Sequence, residues 1–181
     1  MRVIAGEFRS RRLKSIPGLQ TRPTPDRLRE TLFDILAPRI EGALFLDAYA
    51  GTGAVGIEAL SRGARHAYFL ERSRPALEAI RDNLASLGLE ARATVAAGPV
   101  LLTLGRHPAD IVFADPPYEP EREYRALLEL LAELRPGLAV IQHSARQPLP
   151  ESPGGLERTR LVKQSDNALS FFAPSHSIAA S

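Results

Sequence analysis

The tetrapeptide Asp115-Pro116-Pro117-Tyr118 directly follows a short apolar segment, DIVFA. Two prolines stiffen a loop and remove two backbone donors, so nearby carbonyl oxygens, that of Pro116 above all, are free to accept hydrogen bonds. Together with the Asp115 carboxylate, such a carbonyl forms a rigid pair of acceptors for the two protons of an amine. Tyr118 offers a face on which an unpaired base can stack. We therefore interpret these four residues as catalytic residues for group transfer to an exocyclic amine.

A glycine-rich segment, Asp47-Ala48-Tyr49-Ala50-Gly51-Thr52-Gly53-Ala54-Val55-Gly56, provides the second motif. Glycines let the backbone turn sharply and approach a ligand closely. The segment also satisfies the dinucleotide-binding pattern, with Glu71 about 20 residues further on as the acid that binds ribose hydroxyls. Asp47 favours S-adenosylmethionine, because a carboxylate there can bind the ammonium group of that cofactor directly or through water, and a nicotinamide cofactor has no ammonium. The predicted cofactor-binding residues are Asp47, Ala48, Tyr49, Gly51, Thr52, Gly53, Glu71, Arg72, Gly98 and Pro99.

Charge is distributed unevenly along the 181 residues. Residues 1–29, the basic arm, carry eight basic and two acidic side chains, a local charge of +6, which leaves −4 on the remainder for a net +2. A basic segment on a slightly acidic domain is typical of proteins that bind a phosphate backbone, although a merely solubilising tail has the same composition. The predicted phosphate-binding residues are Arg9, Arg11, Arg12, Lys14, Arg22, Arg27 and Arg29.

Composition excludes several kinds of chemistry. The chain has no cysteine, which rules out disulfides, thiolate metal sites and attack of a thiolate on a pyrimidine ring carbon. The four histidines lack metal-site spacing, so we predict no metal. No apolar run approaches the length of a membrane span, and the amino terminus does not resemble a signal peptide. We expect a cytoplasmic protein with no membrane association and no obligate protein partner.

Short apolar strands alternate with helices from about residue 43 onward. Strands that are apolar on both faces and separated by helices belong in a parallel sheet, so we predict a doubly wound α/β fold. The first helix should begin near Thr24 and end at Pro38. Near the carboxyl terminus, extended segments at 158–164 and 168–172 are separated only by residues 165–167, which predicts an antiparallel hairpin and a mostly parallel sheet of seven strands. We expect a basic arm and helix at 1–40 that bind a phosphate backbone, a catalytic domain at 41–175 and a tail at 176–181.

Six segments together resemble the bacterial 16S ribosomal RNA guanine-N(2)-methyltransferase family, a group of class I S-adenosylmethionine-dependent enzymes. They are RVIAGEFRSRRL, TRPTPDRLRETLFDIL, LDAYAGTGAVGIEALSRGA, FLER, FADPPY and KQSDNALSFF. The resemblance implies a Rossmann-like fold, a cofactor site at Asp47, Gly51, Gly53 and Glu71, a guanine held by residues 115–118, and RNA contacts from the basic arm. It also implies a substrate RNA within a 30S subunit or an assembly intermediate.

One position departs from the family pattern. Where the family usually has an acid that binds the adenine amine, this chain reads Ala96-Ala97-Gly98-Pro99. Backbone groups near Gly98 or Val100 would then bind the adenine, and lower cofactor affinity is the corresponding hypothesis. Alternative functions at this point are methylation of adenine or of a protein glutamine, a nucleotide-dependent oxidoreductase, and a non-catalytic RNA-binding assembly module.

Overall fold

The computed structural model describes residues 1–17, 24–117 and 121–176. A mixed sheet of seven strands has the order β3-β2-β1-β4-β5-β7-β6. The strands are β1 (Leu44–Ala48), β2 (His66–Glu71), β3 (Ala93–Ala97), β4 (Ile111–Ala114), β5 (Leu138–Ser144), β6 (Leu156–Gln164) and β7 (Asn167–Pro174). The helices are α1 (Asp26–Ile40), α2 (Ala54–Ser61), α3 (Arg74–Leu87), α4 (Val100–Thr103) and α5 (Glu121–Leu134), with short 3-10 turns at Glu90–Arg92 and Leu104–Arg106.

Helices cover both faces of the sheet, as the fold prediction required. Buried apolar residues of α1, α2 and α3 form one core with one face of the strands, and those of α4 and α5 form a second core with the other face. The first five strands are parallel, whereas β7 pairs antiparallel with both β5 and β6. The predicted fold class, including the antiparallel carboxyl-terminal hairpin, is confirmed. No helix in the described ranges is long and apolar enough to cross a bilayer.

The first part of the basic arm, residues 1–14, folds back on itself as an N-terminal hairpin. The Val3 N–H donates to Arg11 O at 3.0 Å, and the Leu13 N–H donates to Met1 O at 3.0 Å. Val3 and Leu13 are buried against the core that α1, α2 and α3 share. The hairpin is therefore docked on the domain through its apolar side chains, which leaves its arginines on the outside.

Two boundaries differ from the sequence prediction. Helix α1 continues through Pro38 to Ile40, because Pro38 lies in the exposed last turn while Leu36 and Ile40 remain buried on one helix face. The final hairpin turns at Ser165 and Asp166 alone, and Asn167 already belongs to β7, where it pairs with Gln164 and with Ser144. Ser165 has the positive φ of 54° that so short a turn needs.

Candidate functional site

Three acidic residues lie near the carboxyl ends of three adjacent strands. Asp47 is in β1, Glu71 ends β2, and Asp115 directly follows β4. Strand β1 lies between the other two, and its Ala48 pairs with Leu70 of β2 and with Ala114 of β4. The register thus brings the acids of two separate sequence motifs to one edge of the sheet, where open α/β sheets bind their ligands.

Asp47 lies beneath the glycine-rich segment and is only 1% exposed. Its Oδ2 accepts the Gly56 N–H at 2.9 Å. Gly56 is in the first turn of α2, where backbone N–H groups have no partner within the helix and commonly bind anions. Asp47 therefore already occupies one of the backbone N–H groups in the first turn of α2.

Burial and the neighbouring acids both affect the ionisation of Asp47. Burial raises the pKa of Asp47 well above its usual value, and the negative charges of Asp115 and Glu71 raise it further. The hydrogen bond from the Gly56 amide opposes this shift. A cation placed among the three carboxylates would relieve their mutual repulsion.

Glu71 holds the turn after β1, which we call the cofactor loop (residues 49–53). Its Oε2 accepts the Gly51 N–H at 2.9 Å, and its Oε1 accepts the N–H groups of Arg72 at 2.8 Å and Ser73 at 2.9 Å. A carboxylate has about four acceptor positions, so after these three bonds one remains for a ligand hydroxyl. Glu71 is half-buried, which leaves that position accessible.

The cofactor loop has an unusual backbone that explains its residue types. Gly51 and Gly53 have φ angles of 58° and 81°. A Cβ added at Gly51 would meet nothing within 4 Å, so glycine is needed there for conformation, and the space beside the loop is open. Tyr49 also has a positive φ, 63°. Its hydroxyl donates to Glu123 Oε1 at 2.5 Å, which joins the cofactor loop to the first turn of α5.

The segment after β3 offers backbone groups rather than a carboxylate. The Gly98 N–H donates to Glu71 O at 3.0 Å, and Gly98 has a φ of 145° that favours glycine. Pro99 O accepts the Thr103 hydroxyl at 2.9 Å. Ala97 and Pro99 are exposed at the same sheet edge. Residues 96–99, where the family usually has an acid, therefore provide backbone groups and no carboxylate.

Asp115 begins the proline loop (residues 115–118). Its N–H donates to Ala48 O at 3.4 Å, which fixes the start of the loop beside β1. The side chain is half-buried, and burial raises the pKa of Asp115 to about 7. At neutral pH this carboxyl group can therefore both take up and release a proton. Pro116 is buried and Pro117 is exposed, while Tyr118 lies outside the described residues.

Residues 1–173 match the model of a family described as conserved hypothetical protein 95. The chain is 38% identical over 169 residues to YlbH of Bacillus subtilis (strain 168), provisionally named an rRNA methyltransferase, and the match covers 88% of this chain and 91% of YlbH. It is 44% identical over 132 residues to ribosomal RNA small subunit methyltransferase D of Escherichia coli (strain K12), covering 71% of this chain and 63% of that protein.

Among solved structures, yhhF of Escherichia coli, provisionally named a methyltransferase, superposes with a TM-score of 0.84 at 33% identity, covering 97% of this chain and 98% of yhhF. The chain therefore belongs to the family described as conserved hypothetical protein 95. The resemblance inferred from the six sequence segments is confirmed, and with it the assignment to S-adenosylmethionine-dependent methyltransferases of the Rossmann-like class.

The described residues fit the cofactor of this methyltransferase family. S-adenosylmethionine carries a positive sulfonium and a positive ammonium group, and the site gathers Asp47, Glu71 and Asp115 at one sheet edge. The remaining acceptor position on Glu71 suits a ribose hydroxyl.

The predicted RNA-binding residues of this chain differ in their exposure and in their contacts. Arg9, Arg12 and Arg27 are exposed, and Arg22 lies outside the described residues. Arg11 donates to Ser86 O at 3.0 Å, and Lys14 pairs with Asp82 at 2.6 Å, both on the exposed side of α3.

Arg29 requires a correction, because its side chain is fully buried. It is 0% exposed, and its Nη2 donates to Arg2 O at 2.6 Å and contacts Asp26 at 3.2 Å. Residues 29, 33, 36 and 40 follow one another at helical spacing on the buried face of α1. Arg29 therefore holds the N-terminal hairpin against α1 and has no surface left for RNA.

Two buried polar side chains that bind the N-terminal hairpin were not predicted from the sequence. Glu58 is fully buried in α2 and accepts the N–H groups of Ile4 at 2.8 Å and Ala5 at 3.0 Å. Asn83 of α3 is 2% exposed and contacts both the hairpin and the cofactor loop. A buried polar side chain in an amphipathic helix has no distinct sequence pattern, although Glu58 does lie among apolar residues, IEAL, on a helix that is buried throughout.

Proposed function

We propose that this chain transfers a methyl group from S-adenosylmethionine to the exocyclic N2 amine of a guanine in 16S ribosomal RNA. The observation that carries the proposal is that the proline loop and the acid-lined cofactor loop meet at one sheet edge, in a chain of this methyltransferase family. The named relatives supply the ribosomal substrate, since the Escherichia coli relative is a ribosomal RNA small subunit methyltransferase. A ribosomal substrate would place the reaction in the cytoplasm.

The catalytic task of the chain is to make a weak nucleophile reactive. An exocyclic guanine amine has its lone pair delocalised into the ring. We assign the Asp115 carboxylate and the Pro116 carbonyl as the two acceptors that bind the amine protons and draw the nitrogen toward tetrahedral geometry. Tyr118 would stack on the flipped base. S-adenosylmethionine supplies an electrophilic methyl group on its sulfonium sulfur.

Asp115 also receives the proton that the amine loses. When the new carbon–nitrogen bond forms, the nitrogen becomes positively charged and must lose one proton to regain a neutral amine. A carboxyl group with a pKa of about 7 is a suitable acceptor, since it holds the proton and then returns it to solvent at neutral pH. The ionised form of Asp115 is the one that can begin this cycle.

Cofactor binding would rest on the remaining predicted residues. We assign Glu71 to the ribose hydroxyls, the cofactor loop to the amino-acid portion, and the backbone near Gly98 to the adenine. Asp47 would stabilise the ammonium group by its charge and by holding α2 in place. Weaker adenine binding than in relatives with an acid after β3 remains our hypothesis, and a calorimetric titration that shows ordinary tight binding would contradict it.

RNA recognition would come mainly from residues 1–40, with methyl transfer performed by residues 41–175. The exposed guanidinium groups of Arg9, Arg12 and Arg27 can contact phosphates in a bidentate manner. We assign the substrate as RNA within a 30S particle or an assembly intermediate, on the names of the relatives.

The decisive test uses 30S particles that lack the modification and S-adenosylmethionine with a radiolabelled methyl group. Wild-type protein should label N2-methylguanosine, identified by nucleoside analysis, and Asp115→Ala should abolish labelling while binding cofactor. Glu129→Gln, which also removes one carboxylate but lies at an exposed position of α5, is the control and should retain activity. Label in methyladenosine or in protein would assign another amine substrate, and absence of both label and cofactor binding would indicate a non-catalytic assembly module.

A further inference from the structure

Asn83 joins the N-terminal hairpin to the cofactor loop through a single buried amide. Its Oδ1 accepts the Lys14 N–H at 2.6 Å, and its Nδ2 donates to Lys14 O at 3.2 Å. The same Nδ2 donates to Thr52 O at 3.0 Å. Asn83 therefore makes two hydrogen bonds to the hairpin and one to the cofactor loop, and its side chain is only 2% exposed.

A second contact joins the same two segments from the other side. The Thr52 hydroxyl lies 3.7 Å from the Met1 sulfur, and the Leu13 N–H binds Met1 O at 3.0 Å. Thr52 stands between Gly51 and Gly53, which set the conformation of the cofactor loop. The first strand of the hairpin therefore contacts Thr52 directly through Met1, and the second strand is joined to Thr52 through Asn83.

On the opposite side, the hairpin presents its charges to solvent. Lys14 extends to Asp82, an exposed ion pair, and Arg12 and Arg9 are exposed nearby in the chain. An RNA phosphate held by these side chains would restrict the hairpin backbone at Lys14. Since Asn83 binds that backbone and the Thr52 carbonyl at once, the restriction would reach the cofactor loop without any change in the catalytic residues.

We infer that Asn83 is a positioning residue that couples RNA binding on the N-terminal hairpin to cofactor binding at residues 49–53. The inference rests on the proposed function, because it requires RNA on the hairpin. Coupling between two ligands is reciprocal, so RNA should tighten cofactor binding by the same factor as cofactor tightens RNA binding. The chain would then bind its methyl donor best when a substrate is present.

The test is equilibrium dialysis of radiolabelled S-adenosylhomocysteine, which binds without turnover, in the presence and absence of 30S particles that lack the modification. For wild-type protein the particles should lower the Kd by about 5-fold or more, in the usual range of such couplings. Asn83→Leu keeps the side-chain size and removes the three hydrogen bonds. This variant should still bind the particles, but the ratio of its Kd values without and with particles should fall to about 1. An effect confined to folding would change the free energy of unfolding and leave the ratio of the two Kd values unaltered.

Asp82→Asn is the matched control, because it changes the adjacent residue and the same Lys14 but does not touch Thr52. It should keep the wild-type coupling factor. Where Asn83→Leu does not fold, hydrogen exchange on wild-type protein answers the same question, since particles without cofactor should slow exchange of the amides in residues 49–53.

The possible failures are distinguishable. Wild-type protein that does not co-sediment with the particles would refute both the RNA substrate and the coupling. Co-sedimentation and guanine methylation, together with an unchanged cofactor Kd and unchanged exchange in the loop, would overturn the coupling alone. The proposed function would then stand, with Asn83 acting only in the stability of the fold.

Discussion

Replacing Asp115 with asparagine should make the cofactor-free protein more stable, and increasingly so as the pH rises. Burial raises the pKa of Asp115 to about 7 in the folded protein, whereas an aspartate in an unfolded chain has a pKa of about 3.9. The folded state therefore binds the proton more tightly than the unfolded state. It follows that the unfolding free energy of the wild type falls as pH rises from about 4 to about 7 and levels off above that range.

The size of the effect follows from the same shift. Each pKa unit corresponds to about 1.4 kcal/mol, so ionised Asp115 costs the folded state up to about 4 kcal/mol above pH 8. Of this, about 2 to 3 kcal/mol should appear between pH 5 and pH 8. Asparagine is similar in shape and cannot ionise. The substitution also removes the negative charge that repels Asp47, and this too should stabilise the folded state of the variant.

Urea denaturation at pH 5 and at pH 8 measures this difference. The unfolding free energy of Asp115→Asn minus that of the wild type should increase by about 2 to 3 kcal/mol between the two conditions. Asp34→Asn, whose side chain is 69% exposed, controls for the general loss of a carboxylate. A difference that stays constant with pH would refute the reasoning, because it would show that Asp115 has the same pKa in the folded and unfolded states.

Three further predictions concern residues outside the catalytic loop. Glu58→Ala removes the acceptor of the Ile4 and Ala5 amides and the ion-pair partner of Arg62, so it should cost about 3 to 5 kcal/mol. The variant should also expose the hairpin to protease, and an unchanged rate of cleavage within residues 1–14 would contradict this. Gly56→Ala places a Cβ 2.4 Å from Phe69 Cε1 and should lower the unfolding free energy by about 1 to 3 kcal/mol, whereas an equally stable variant would show that α2 can shift. The double variant Arg9→Ala, Arg12→Ala should weaken RNA binding and reduce the slope of log affinity against log salt by about 2, and an unaltered slope would exclude these side chains from phosphate contact.

The positions of the strands and of the chemical motifs could be predicted because they follow from local pattern. Apolar runs define the buried strands, and the rule that ligands bind at the carboxyl edge of a parallel sheet then places Glu71 and Asp115 together. Gly88 was likewise predictable as the end of α3, and it does adopt the left-handed conformation that ends a helix. These inferences needed no knowledge of which side chains meet.

Interactions between distant segments could not be predicted in this way. Arg29 was assigned to RNA because it is charged, and only packing shows that it shares a buried helix face with Phe33 and Leu36. Pro38 was expected to end α1, but the burial of Ile40 extends the helix by two residues. Asn83 has the same sequence context as any polar residue of an amphipathic helix. For Arg29 and Asn83 the contacts that determine the role of the side chain come from residues distant in the sequence. For α1 the end of the helix is determined by Ile40, which lies beyond the proline that was expected to end it.

Asp47 illustrates how packing resolves a motif that two classes of cofactor share. The glycine pattern alone permits a dinucleotide, whose pyrophosphate requires free N–H groups at the start of the following helix. Here one of these groups, the Gly56 N–H, is already bound by the Asp47 carboxyl group at 2.9 Å. Burial makes this carboxylate costly to ionise, and a cationic ligand nearby would offset that cost. Asp47 therefore acts on α2 itself through the Gly56 N–H, a contact that the glycine pattern alone does not reveal.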